Sequence, residues 1–538
     1  MFVLIFACSI VLAWYVGSWK KSRLESITQR LLGTPKETSL GVDANGEETS
    51  EDQDEVYPVH SIDQATIVRT SICSYTFRYD VVLDAQKLHD SLALLLSSGD
   101  WRKLGGRLRE NKNGKLEVNV PRNFSNDRPP FRFSHVKFDV TMEEHPLASR
   151  LPKKTDRPSI QEGCRAFREF SLPSTLPNDM KHYLSTDEPL ICLHINSFAN
   201  GTLVSLTYPH LVADAMGSAD LVQAWAHVVQ TQNVESLELQ FKGAHEDIVA
   251  SVGTDDDKIA KDTKFVLEDR ETRGLSLVSF LAGYILDTII DWDIQSRHIY
   301  MPANFVTHLR NQAVKEWELT HGTQNGPVPF VSDGDLITAW GSRMVLASAK
   351  RGSAVICNVF DVRGRLDFIK SNPALRAAAY FQNLILPSNI LLTAKEARNL
   401  SAAQIAFRVR KAIVEQTSDT QVRSLMRMTR VWLSWLGTMP FFMSWNTTRV
   451  IASTNWSKAR FLERADLGAS ATESKGKTGS HSLKPVLYWG GILAVTDKPR
   501  DAFIIYGKDH DGDYWLHAYL RKETWSYIQK ELDNFAEK

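Results

Sequence analysis

Between residues 190 and 229 the hydrophobic period of the chain changes once, and that change restricts the fold more than any other feature. Stretches 190–198 and 203–208 are strand-like runs joined at Asn200-Gly201, a pair that favours a tight hairpin. After His210 the period becomes helical, with Leu221, Val222, Trp225, Val228 and Val229 on one face. A hairpin that runs straight into an amphipathic helix predicts an α/β (α+β) fold, with helices covering a sheet.

The alternation continues along the chain. Stretch 71–82 reads as a strand. Stretch 84–97 reads as a helix, with Leu88, Leu92 and Leu95 recurring at spacings of four and three. Helices are expected over 333–349 and 394–416, and strands over 354–363, 486–496, 502–507 and 514–519. At 538 residues the chain exceeds one core, and two domains are expected, 58–245 and 297–538. The charged stretch 245–272 and the apolar segment behind it read as a crossover over 246–296, and 470–483 reads as a polar insertion. Segments 275–292 and 431–445 are rich in aromatic and aliphatic residues. They are either buried helices or an aromatic mouth that rests on a membrane or lines a channel.

Composition removes several function classes. Lys+Arg and Asp+Glu both number 63, so the net charge is zero, which argues against a nucleic-acid partner held by phosphate neutralisation. Cys8, Cys73, Cys164, Cys192 and Cys357 are scattered, with no Cys/His cluster, so neither a metal site nor a disulfide framework is expected. Asp509-His-Asp-Gly-Asp513 opens like a calcium loop, but Leu520 stands where the closing Glu belongs, so it reads as a turn.

Residues 2–19 form an uncharged apolar run of bilayer-spanning length, followed by Lys20, Lys21 and Arg23. They predict a single-pass membrane anchor, at the endoplasmic reticulum, with the following chain in the cytosol. An acidic stalk is expected over 20–57. In that topology the sequons starting at Asn123, Asn200, Asn399, Asn446 and Asn455 stay unglycosylated.

His210 follows the second strand run and Asp214 precedes the helix. A histidine on such a turn can take a proton from a hydroxyl or amine and return it, work worth about 10²–10⁴-fold in rate. The spacing H-x-x-x-D alone arises about once by chance in a chain with 15 histidines, and alone it reads as a capping Asp beside a strand-end His. The order of the surrounding motifs is the specific signal. Leu104-Gly-Gly-Arg-Leu108, the hairpin 189–204, Tyr208-Pro-His-Leu-Val-Ala-Asp-Ala-Met-Gly217, the stretch 331–340, Phe360-Asp-Val-Arg-Gly-Arg-Leu366 and Tyr380-Phe-Gln-Asn383 follow one another. Over roughly residues 60–520 the chain resembles the BAHD-like, coenzyme-A-dependent acyltransferases, in their fungal branch.

The resemblance implies two chloramphenicol-acetyltransferase-like domains with a channel between them. It also implies acyl-CoA as co-substrate, no permanently bound cofactor, no metal and a monomer. It makes His210 the general base toward a hydroxyl or amine. It turns Asp214 away from the substrate, paired with Arg363 or Arg365, and sets Arg363, Arg365 and Asn383 on the cofactor side. With the apolar N-terminus, the expected acceptor is a lipophilic secondary metabolite and the expected group is acetyl. Three departures stand out. Ala215 follows Asp214 where the family has Gly, with Gly217 two positions further on. Gln382 replaces the Gly of Y-F-G-N. The C-terminal D-F-G-W-G is reduced to Asp466-Leu-Gly-Ala469, and Trp489 is a candidate to fill the space of the missing Trp. These departures keep two other readings open: a condensing or cyclising enzyme on the same fold, and a binding protein with a decayed site.

Overall fold

Polar caps and apolar periods set most of the helices. Asp84 accepts hydrogen bonds from the backbone N–H groups of Gln86 and Lys87 and starts Ala85–Leu96, whose Leu88, Leu92 and Leu95 are fully buried. Asp214 starts Ala215–Thr231 in the same way, through Met216 and Gly217. The two helices are tied by Trp225, whose indole N–H donates to the Leu88 carbonyl and the Ser91 hydroxyl at 3.2 and 3.1 Å. The single helix expected over 394–416 is two, Ala394–Asn399 and Ala402–Gln416. Leu400 and Ser401 are extended between them, and Ser401 forms a capping box with Gln404 that opens the second.

The computed structural model describes residues 54–538 apart from 177–178, 291–292, 323–326, 350–351, 444–446, 473–482, 495–498 and 537–538. The apolar run 2–19, most of the expected stalk and most of the insertion 470–483 lie outside the described residues. The end of the expected stalk is part of the fold. Glu55–Pro58 pairs with Leu116–Val120, and the buried Tyr57 stacks on His245 at 4.5 Å. No described helix is long and apolar enough to cross a membrane.

Residues 54–271 and 293–538 make one unit, built on two large sheets. The five-stranded sheet runs in the order Leu487–Ala494, Ile72–Tyr79, Gly201–Pro209, Cys192–Phe198, Arg132–Lys137. The seven-stranded sheet runs Ile385–Leu392, Ser353–Asp361, Thr447–Asn455, Ala502–Lys508, Tyr514–Arg521, Ile294–Met301, Ser159–Glu162. The sequence halves 58–245 and 297–538 exchange a strand each. Leu487–Ala494 pairs with Ile72–Tyr79, and Ser159–Glu162 pairs with Ile294–Met301. Local hydrophobic period carries no signal of such distant pairing.

The expected crossover is packed in its first part. Val249, Val252 and Phe265 are buried in one cluster with Leu425 and Phe442, and Asp257 pairs with Arg423 at 3.0 Å. Three buried apolar side chains and an ion pair suffice to hold it. The helix Leu275–Ile290 falls outside the main unit. In segment 431–445, Trp432 and Phe442 are buried, whereas Trp435 is 81% exposed at the end of Asp419–Leu436. Asp509–Asp513 is the expected turn. The Asp509 carboxylate accepts from the backbone N–H groups of Asp511 and Asp513 and from the Trp515 indole.

Candidate active site

Strand Gly201–Pro209 delivers His210 to the rim of the five-stranded sheet, and its N–H donates to the Ser71 carbonyl at 2.9 Å. His210–Val212 then form one 3₁₀ turn, anchored by buried Leu211 and Val212. The His210 ring is partly exposed. Its Nδ1 is sealed from solvent with no partner on another residue, and Nε2 makes no hydrogen bond among the described residues. Burial pushes the ring below the ordinary histidine pKa, while its own backbone carbonyl, the Asp214 charge and Asn383 pull the other way. Such a ring is neutral at pH 7 and offers Nε2 as an acceptor of protons.

Asp214 is 2% exposed, and both its oxygens are in use. Arg363 donates through Nη1 to Oδ2 at 2.8 Å and through Nη2 to Oδ1 at 3.1 Å. The Leu384 N–H donates to Oδ2 at 2.9 Å, and the N–H groups of Met216 and Gly217 donate to Oδ1 at 3.1 Å each. Arg363 also donates to Asp361 at 2.9 Å and to the carbonyls of Tyr380 and Gln382 at 3.2 and 3.4 Å. Burial pulls the Arg363 guanidinium down, and Asp214 and Asp361 more than offset it. This is the bidentate geometry that a buried carboxylate needs. Arg365 is different. Its half-buried side chain makes no hydrogen bond among the described residues, and burial lowers its pKa.

A single stretch holds both ends of the His210–Asp214 loop. The Asn383 N–H and its Nδ2 both donate to Asp63 Oδ1 at 2.7 Å, and Nδ2 also donates to the His210 carbonyl at 3.0 Å. One residue later, the Leu384 N–H holds Asp214. The donors of Arg363 Nη1 and Nη2 and of Asn383 are therefore committed within the protein. The buried atoms they leave without a partner are Arg363 Nε and Asn383 Oδ1.

The departures from the family pattern have local explanations. Gln382 is buried, donates to Asp247 at 2.8 Å and accepts from the Ile248 N–H at 3.2 Å, so the added side chain is a tie. A Cβ on Gly217 would lie 2.5 Å from the Tyr380 carbonyl oxygen. The close approach that demands glycine thus falls at Gly217, and Ala215 occupies an ordinary first helical position. Asp466-Leu-Gly-Ala469 lies at the start of Ala85–Leu96, where Lys87 Nζ donates to the Ala469 carbonyl at 2.6 Å and the Asp84 N–H to that of Ser470 at 2.7 Å. Trp489 is buried on Leu487–Ala494 opposite Thr76, with its ring 6.1 Å from Phe167 and its Nε1 unpartnered. Asp63, His60, Lys103 and Asp247, the groups behind Asn383, carry no local sequence signal.

No protein-family model matches the chain. It is 53% identical over 505 residues to the acetyltransferase BOT5 of Botryotinia fuckeliana, covering 90% of this chain and 91% of that protein. It is 35% identical to the acetyltransferase pyiB of Pyricularia grisea, covering 89% and 94%. The chain belongs to the fungal BAHD-like acyltransferases. Solved structures agree on the fold. F. sporotrichioides TRI101, complexed with coenzyme A and T-2, superimposes with a TM-score of 0.58 at 13% identity, over 90% of this chain and 98% of that one. Vinorine synthase superimposes with a TM-score of 0.55 at 14% identity, over 93% and 95%.

Proposed function

We propose that this acyltransferase moves an acetyl group from acetyl-CoA to a hydroxyl of a lipophilic secondary metabolite, with His210 as general base. The observation that carries the reading is the state of the His210 ring: neutral, sealed at Nδ1, open at Nε2 and set on a loop tied at both ends. The acetyltransferase names of the relatives support the acetyl group, and the T-2 bound to TRI101 supports an oxygenated lipophilic acceptor.

In the reaction, Nε2 takes the acceptor O–H proton as that oxygen attacks the thioester carbonyl carbon. The tetrahedral intermediate then breaks its C–S bond, and the proton passes from Nε2 to the departing thiolate of coenzyme A. Asp214 stays ionised under Arg363 and holds the loop. Arg365, with no partner of its own, is the cation of that turn available to a phosphate of coenzyme A, whereas Arg363 and Asn383 act through the loop. The reading includes a monomer anchored through residues 2–19, with the catalytic unit on the cytosolic face of the endoplasmic reticulum.

The full-length chain, incubated with acetyl-CoA and a panel of hydroxylated terpenoids, sterols and polyketides, is expected to give an acetylated product by mass spectrometry. His210→Ala is expected to give about 10²–10⁴-fold less. Equal product from His210→Ala would sink the general-base assignment. Release of the full-length chain from membranes by carbonate wash, without detergent, would sink the anchor.

A further inference from the structure

The His210 loop rests on a buried polar cluster whose members come from distant parts of the chain. Asp63 is 2% exposed and Asn383 fully buried, 320 positions apart. Around them, Ser61 donates to Asp247 at 3.0 Å, His60 Nε2 lies 2.8 Å from the Gly243 carbonyl, and Lys103 Nζ donates to the carbonyls of Gly243 and Ala244 at 2.6 and 3.1 Å. Burial pushes the Asp63 carboxyl up, against the Asn383 donors and the Lys103 charge.

The geometry fixes which way the Asn383 amide faces. One of the groups at its Nδ2 is the His210 carbonyl, which only accepts, so the amide nitrogen must lie there. The amide oxygen then faces the remaining direction, where it is buried and unpartnered. His210 Nδ1 is also buried without a partner on another residue, and the Asn383 side chain favours the protonated ring. A base that acts through Nε2 must carry its resting proton on Nδ1, and the acceptor nearest that N–H is the ring's own backbone carbonyl, the one that Asn383 Nδ2 holds.

We propose that Asp63 and Asn383 are positioning residues for His210: Asp63 orients the Asn383 amide, and Asn383 fixes the His210 carbonyl. The inference rests on His210 being the base. The elements packed against the His210 turn, Ile62–Gln64 and Thr66–Arg69, bring Asp63 and Arg69 to it, and the Asp214 charge also acts on the ring. Of the groups that set the ring's affinity for a proton, Asn383 acts directly and Asp63 acts only through Asn383.

The test uses the full-length protein and acetyl-CoA alone, with water as acceptor and thiol release read by a thiol reagent. Asp63→Ala and Asn383→Ala are each expected to lower kcat by about 10²-fold, the cost of roughly an ångström of misplacement, with KM for acetyl-CoA within about threefold of wild type. The double variant is expected to be no slower than either single one, because both act through one amide. The acid limb of the pH profile is expected to move to lower pH in Asn383→Ala. Asp63→Asn, whose Oδ1 still accepts both Asn383 donors, is expected to fold and to keep kcat within about threefold. Wild-type kcat and pH profile in folded Asn383→Ala, multiplicative losses in the double variant, or a 10²-fold loss in Asp63→Asn would each overturn the proposal. His210→Ala separates the two failures. If it is inactive while the Asp63 and Asn383 variants match wild type, only the positioning proposal fails. If it retains the wild-type rate, the general-base assignment fails, and the positioning proposal with it.

Discussion

Replacing Arg363 by methionine removes the countercharge of Asp214 and leaves most of the packing volume in place. Asp214 is 2% exposed, so solvent cannot supply the missing partner. The variant loses the two bonds from Arg363 to Asp214, at 2.8 and 3.1 Å, and the bonds to Asp361 and to the Tyr380 and Gln382 carbonyls. Removing one partner of a buried ion pair costs about 3–5 kcal/mol, because a charge is stranded. With an unfolding entropy of about 2.1 cal/mol/K per residue, 538 residues convert each kcal/mol into roughly 1 °C, so Tm is expected to fall by about 3–5 °C. Arg363→Lys is expected to recover little, since an ammonium cannot donate in a planar fork. Arg363→Met combined with Asp214→Asn is expected to recover part of the loss, because no charge is then stranded. Differential scanning calorimetry checks all three. A fall below 1 °C in Arg363→Met, or a double variant less stable than the single one, would refute the argument that charge pairing holds the loop.

Gly217→Ala puts a Cβ 2.5 Å from the Tyr380 carbonyl oxygen, and the forced shift is expected to cost about 1–3 kcal/mol, read as a lower Tm, while Ala215→Gly changes Tm by less. Gln382→Gly, which restores the family residue, is expected to destabilise the protein by about 1–3 kcal/mol, because Asp247 and the Ile248 N–H lose their buried partner. The rate of acetyl-CoA turnover is expected to rise with pH along one acid limb and then level off. Protonated His210 cannot accept a proton and burial depresses its pKa, so the midpoint falls below the ordinary histidine value of about 6.5, and a midpoint near 7.5 would contradict the assigned environment.

Elements with local signals were legible in the sequence. Leucines at spacings of four and three behind Asp84 gave a capped helix, and Asn200-Gly201 gave the hairpin that carries His210. His210 and Asp214 were legible through the order of the surrounding motifs, and the pairing of Asp214 with the 363–365 turn through the family resemblance that this order carries. The groups that hold the loop were not. Asp63 meets Asn383 across 320 positions, and nothing near Asp63 marks it as more than a polar turn residue. The strand Ser159–Glu162, and the pairing of the expected strand Leu487–Ala494 with Ile72–Tyr79, stayed hidden for the same reason, since edge pairing is settled by tertiary register. The glycine departures looked damaging because a motif shows what is missing and not what replaces it. Here Gly217 supplies the close approach, and Asp247 accepts the Gln382 amide.

The central claim is that His210 Nε2 is the base and that the rest of the site exists to hold it. The most direct measurement pairs calorimetric binding of acetyl-CoA with the rate of thiol release for wild type and His210→Ala. The account predicts equal affinity in both proteins, with turnover lower by about 10²–10⁴-fold in the variant. Equal turnover at equal affinity would contradict it.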